Sequence, residues 1–194
     1  MKRYLYVISD LHLGGEAPTP DHAGFQICPS NARRRLGRFI HSLRHAHKDG
    51  ITELVINGDF VDFLAEKPFQ SFTATPALAI TKLQQIMHST DDGAQGDERV
   101  FPALRAFVQQ GHALTLMLGN HDIELSLPEV RDTLVAYLTD GQPARLTFLY
   151  DGEALRRGLV LIEHGNRYDA WNVVNHGGVA CVSLSAVAFA NVGV

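Results

Sequence analysis

The stretch "ELVINGDFVD" (Glu53–Asp62) decides how this chain is read. Its apolar run does not alternate with polar residues, which predicts a strand buried on both faces over 53–58. The run stops at Asn57-Gly58, where glycine permits a sharp backbone turn, and Asp59 and Asp62 follow at once. A buried strand that empties into two carboxylates raises the question of what else stands at the same level.

Outward from this segment the pattern repeats. Residues 3–9 read as another buried strand, and "ALTLMLGN" (113–120) as a third. "RLTFLY" (145–150) and "GLVLIEHG" (158–165) complete the set of strands. Between them, Leu36, Phe39, Ile40 and Leu43 fall at helical spacing, predicting a helix over 31–48 with Ser30 or Asn31 as its cap and Gly50 beyond its end. Thr75-Pro76 opens a second helix with proline at the first helical position. "ERVFPALRAFVQQG" predicts a third helix, stopped by Gly111, and residues 128–139 a fourth. Strand and helix alternate through residue 140, the signature of an α/β domain around a mostly parallel sheet. Ligands of such sheets sit beyond the carboxyl ends of the strands.

The 194 residues suit one domain spanning 1–194. A net charge of −4 argues against an extensive nucleic-acid interface. Cys28 and Cys181 form no disulfide framework, and the short apolar run before Asp10 does not make a secretory signal, so a cytoplasmic location is expected. The closing "VACVSLSAVAFANVGV" is apolar but short for a spanning helix. It reads as a core segment whose continuation is missing, and membrane association is not favoured.

Four strand ends carry residues able to hold a cation: Asp10 and His12, Asp59 and Asp62, Asn120 with His121 and Asp122, and His164. Each has an ordinary alternative as a turn former, helix cap or hydrogen-bonded histidine. Agreement at four strand ends outweighs those alternatives. Oxygen and imidazole donors without thiolate suit Mn, Fe or Zn. Two divalent ions, roughly 3.5–4 Å apart in hydrolases, would keep a net positive charge over Asp10 and Asp59, which attracts phosphate and acidifies bound water. Asp59, at a central strand end, is the natural bridge. His121 is placed to give a proton to a leaving oxygen, and Asp122 to orient it.

Taken together, Asp10-Leu-His12, Gly58-Asp59-Phe-Val-Asp62, Gly119-Asn120-His121-Asp122 and His164-Gly165 make the chain resemble the calcineurin-like metallophosphoesterase superfamily, over about residues 5–166. The resemblance implies a four-layer αββα sandwich, incomplete at its C-terminus, with a dinuclear centre. Asp10, His12 and Asp59 would bind one ion; Asp59, Asn120 and His164 would bind the other. A metal-bridging hydroxide would attack phosphorus, with His121 and Asp122 as the catalytic pair and Asp62 as a supporting residue or helix cap.

The family's closing Gly-His-x-His does not follow His164. His176 is the one later histidine, and truncation before the motif is expected, with weak activity as its consequence.

The expected function is hydrolysis of a phosphomonoester, phosphodiester or pyrophosphate, on a phosphorylated small-molecule or lipid-linked substrate. A non-catalytic metal-binding protein is the rival. "SDLHLGG" and "HGNRYDAWN" are similar to the UDP-2,3-diacylglucosamine pyrophosphatase branch, but His121 and Asn166 stand where that branch tends to carry Arg and Asp. Phe63 and Leu64 after Asp62 argue against the protein-phosphatase branch. Arg33, Arg34, Arg35, Arg38 and Arg44 read as the solvated face of a helix, and Trp171 and Tyr168 as core or stacking residues.

Overall fold

The computed structural model describes residues 2–150 and 154–174. His176, Cys181 and the apolar tail lie outside them.

The architecture is α/β. Strands β1 (Lys2–Ile8), β2 (Gly50–Asn57), β3 (Ala113–Met117) and β4 (Arg145–Leu149) form a parallel sheet in that order. Register runs from Lys2 opposite Gly50 to Ile8 opposite Ile56, so β1 and β2 end side by side. Helices α1 (Ser30–Leu43), α2 (Pro76–Asp91), α3 (Val100–Gln109) and α4 (Pro128–Thr139) fill the connections.

Successive strand residues face opposite sides, and the core divides accordingly. Leu54, Ile56, Leu114 and Leu116 pack with the buried residues of all four helices, including Ile40, Leu83, Leu104 and Leu134. Val55 and Met117 face the other way, against Leu155 and Ile162. These two belong to β5 (Leu155–Arg157) and β6 (Val160–Ile162), a short antiparallel ribbon. Leu54, Val55 and Ile56 are fully buried, and each contributes roughly 1.5–3 kcal/mol by leaving water.

Two readings change. The helix expected over 31–48 ends at Leu43, and Pro29 rather than Ser30 or Asn31 precedes its first turn. Of its arginines Arg35 and Arg38 are exposed, as a solvated face requires, but Arg33 is not. Arg33 is 6% exposed and donates to the Ser89 carbonyl, while Arg34 reaches the Gly93 carbonyl and Arg38 pairs with Glu98. Arg33, Arg34 and Arg38 tie α1 to the last turn of α2 and to the α2–α3 connection.

Among the described residues, no helix is long and apolar enough to cross a membrane.

Candidate metal centre

The parallel pairing continues past the strand ends and stitches the loops together. Asp10 N donates to Gly58 O, His12 N to Asp59 O, Leu13 N to Phe60 O and Asp62 N back to Leu13 O. From the third strand end, Phe63 N donates to His121 O. Thus the turns after β1, β2 and β3 share one hydrogen-bonded frame, and their side chains gather above it.

Asp10, His12 and Asp59 all adopt positive φ, at 54°, 42° and 50°. Side-chain-bearing residues seldom take this left-handed conformation, and such strain gathers at functional sites. In the same place, potential donor atoms of Asp10, His12 and Asp59 lie within 4.8 Å of one another. His12, Asp62 and His121 form a second such group.

Asp59 stands at the middle. Its Oδ2 lies 3.6 Å from His12 Nε2 and 3.5 Å from His164 Nε2, and its Oδ1 accepts from His121 N at 2.9 Å. Burial pushes its pKa up, but the His164 hydrogen bond and the His121 amide outweigh burial and hold it below the usual aspartate value. His164 is oriented from behind: its Nδ1–H donates to the Asn57 carbonyl at 2.9 Å, which turns Nε2 toward Asp59. Asn57 also donates to the Glu163 carbonyl, pinning this segment to the end of β2. The hydrogen bond to Asp59 raises the pKa of His164 to about 9.

Two glycines make the approach possible. A Cβ on Gly58, where φ is +78°, would sit 2.3 Å from His164 Nδ1. A Cβ on Gly119 would sit 2.1 Å from Asp59 Oδ1 and 2.7 Å from His164 Nε2.

The structure separates His121 from Asp122. Asp122 is fully buried and accepts from Gly119 N at 2.8 Å and Phe60 N at 2.7 Å. Burial raises its pKa to about 7. Its geometry is that of a clasp between the second and third strand-end turns, not of a partner for His121. That partner is Asp62, whose Oδ1 lies 3.2 Å from His121 Nδ1 and whose Oδ2 lies 3.4 Å from His12 Nδ1. Burial pushes Asp62 up, but its two histidine contacts outweigh this and leave it well below the usual range. The Asp62 contact in turn raises the pKa of His121. The spacing Gly-Asp-x-x-Asp was the signal for Asp62; adjacency in sequence had pointed to Asp122.

Asn120 brings in a residue the sequence reading did not single out. Its Nδ2 donates to Asn172 Oδ1 at 3.3 Å, which leaves its own Oδ1 free to act as an acceptor. Asn172 is fixed by Asp169 Oδ2 at 2.6 Å. Tyr168 and Trp171, on the same loop, are each 75% exposed and so are not core residues.

The donor set fits a divalent cation. It offers carboxylate oxygens and imidazole nitrogens without thiolate. His12 Nδ1 and His121 Nδ1 both face the Asp62 carboxylate, at 3.4 and 3.2 Å, so the Nε2 atoms are the ring positions turned away from it. The chain is therefore an α/β protein with His/Asp groups positioned at its strand ends to bind a metal ion. No protein-family model matches the chain, and no curated protein or solved structure compared with it does so.

Proposed function

We propose that this protein is a metal-dependent phosphoesterase of the metallophosphoesterase type, built on an αββα sandwich and hydrolysing a phosphoester or phosphoanhydride bond with two divalent ions. The observation that carries this reading is Asp59 Oδ2, which has an imidazole nitrogen of His12 at 3.6 Å and one of His164 at 3.5 Å. One carboxylate within reach of histidines from two different strand ends is suited to be a bridging ligand. Asp10, His12 and Asp59 would hold one ion, and Asp59, Asn120 and His164 the other.

Bound divalent cations supply charge neutralisation on phosphoryl oxygens and activation of a water. The chain's own groups do the rest. Asp62 takes Nδ1 of His121, leaving Nε2 as the other exchangeable position of the ring. The Asp62 contact raises the pKa of that ring, which favours the protonated form that can give a proton to the departing oxygen. Asp122 holds the Phe60 and Gly119 amides and thereby fixes the spacing of the Asp59 and Asn120 turns.

The test is hydrolysis of p-nitrophenyl phosphate and bis-p-nitrophenyl phosphate by the full chain with added Mn²⁺. Asp59→Asn removes the bridging charge and is expected to abolish turnover. Full activity in that variant would refute the bridge.

A further inference from the structure

A cavity of about 380 Å³ opens beside His121 and Asp62. Its remaining walls come from the loops after β1 and β2: Phe25 and Ile27 on one side, Leu64 and Ala65 on the other. Phe25 is 53% exposed and Ile27 59%. Phe69, 46% exposed, meets the Phe25 ring edge-on with centroids 4.8 Å apart. Large apolar side chains gathered in the open, at the mouth of a polar site, mark a binding surface.

The surface is built rather than loose. Glu16 N donates to Ala65 O, Gly15 N to Glu66 Oε1 at 2.8 Å, and Phe25 N to Glu16 O at 2.8 Å. Lys67 pairs with Glu16 across the same two loops. These bonds hold the Phe25 loop against the Leu64 loop before any ligand arrives.

Charge narrows the ligand. Among the described residues the cavity is lined by no lysine or arginine, and the nearby Lys67 is occupied by Glu16. A second phosphate or another anionic substituent would meet the Asp62 carboxylate, and the His121 ring beside it is already engaged by that carboxylate. A carbon-rich, uncharged group would instead cover Phe25, Ile27 and Leu64.

We infer that this cavity is the subsite for the leaving group, and that the substrate is a phosphate ester whose departing alcohol is apolar. The inference rests on the phosphoesterase reading for its placement of His121 beside the departing oxygen. It adds the chemistry of what departs.

The experiment measures binding of alkylphosphonates from ethyl to octyl to the Mn²⁺-loaded full chain by calorimetry. Their C–P bond is not hydrolysed, so affinity is read without turnover. Complete burial of a methylene is worth about fourfold in affinity. A groove open on one side should give about twofold per methylene. The double variant Phe25→Ser, Phe69→Ser should flatten that slope to near zero. The slope is the readout, so a general weakening does not imitate the effect. Thermal melting checks that the variant is folded.

A flat series in the unaltered protein, a slope untouched by the double variant, or no phosphonate binding at all would each overturn the subsite. A clear slope with no hydrolysis of nitrophenyl phosphates would keep the subsite and sink the catalytic reading. Hydrolysis with a flat series would do the reverse.

Discussion

At the scale of single residues, proton occupancy decides how the site meets a cation. His164 carries a proton to about pH 9 because Asp59 faces it. An imidazole must lose that proton to ligate. Between about pH 6.5 and 8.5 the apparent affinity for Mn²⁺ should therefore rise close to tenfold per pH unit, as each binding event releases the proton. Calorimetry in two buffers of different ionisation enthalpy counts the protons, and a pH-independent affinity would show that His164 is not a ligand. The same raised pKa sets the stability of the metal-free chain. The Asp59–His164 pair contributes fully below the unfolded histidine value near 6.5, and its contribution is lost as pH rises through about 9. Asp62 makes a complementary prediction. Asp62→Asn removes the charge that holds His121 at 3.2 Å, and turnover should fall about 10²-fold or more while bound metal, measured by elemental analysis, stays nearly constant. Loss of metal in step with turnover would make Asp62 a ligand.

At the scale of elements, the site depends on strand ends meeting at one level. The Gly58 amide donates to Met117 O and the Leu118 amide to Leu149 O, carrying the ladder one step past each strand. Gly119 then passes directly beneath Asp59. Gly119→Ala should displace the Asp59 carboxylate, lowering metal affinity about 10- to 100-fold and costing about 1–3 kcal/mol of stability from overpacking. A metal titration beside a urea transition checks both, and unchanged affinity would mean that the carboxylate has room to move. These elements were readable in the sequence to different degrees. The helix expected over 128–139 is α4 at Pro128–Thr139, and Thr75-Pro76 opens α2 as expected, while β2 begins three residues before the expected 53 and β3 ends three before the expected 120. The end of α1 was not readable, because no glycine or proline stands between Leu43 and Gly50 to mark where the helix stops. The partner of His121 was hidden for another reason. Which carboxylate reaches a ring depends on how two loops cross, and that information lies in the Phe63–His121 backbone bond rather than in local spacing.

At the scale of the whole molecule, the site rests on a buried cation. Lys82 of α2 is fully buried, and its Nζ donates to Thr73 Oγ1 at 2.8 Å and to Phe63 O at 3.4 Å. Phe63 N is the group bonded to His121 O, so one residue of the α2 helix supports the loop that carries Asp62 and, through that bond, the neighbouring loop that carries His121. Glu124, also fully buried, accepts from Thr73 N at 2.8 Å, and burial raises its pKa to about 7. The helical layer and the strand-end loops are thereby joined through charges that a purely apolar contact would not need. Lys82→Met keeps the length of the side chain, removes both hydrogen bonds and leaves Glu124 without its nearest compensating charge. The expected cost is about 2–3 kcal/mol in a urea transition. If the support reaches the site, kcat should fall further than the loss of folded protein explains. Glu124→Gln in the same chain should recover part of the stability by removing the unanswered carboxylate. Stability recovered without recovery of kcat would show that Lys82 positions His121 as well as balancing Glu124. Recovery of both together would reduce it to a balancing charge.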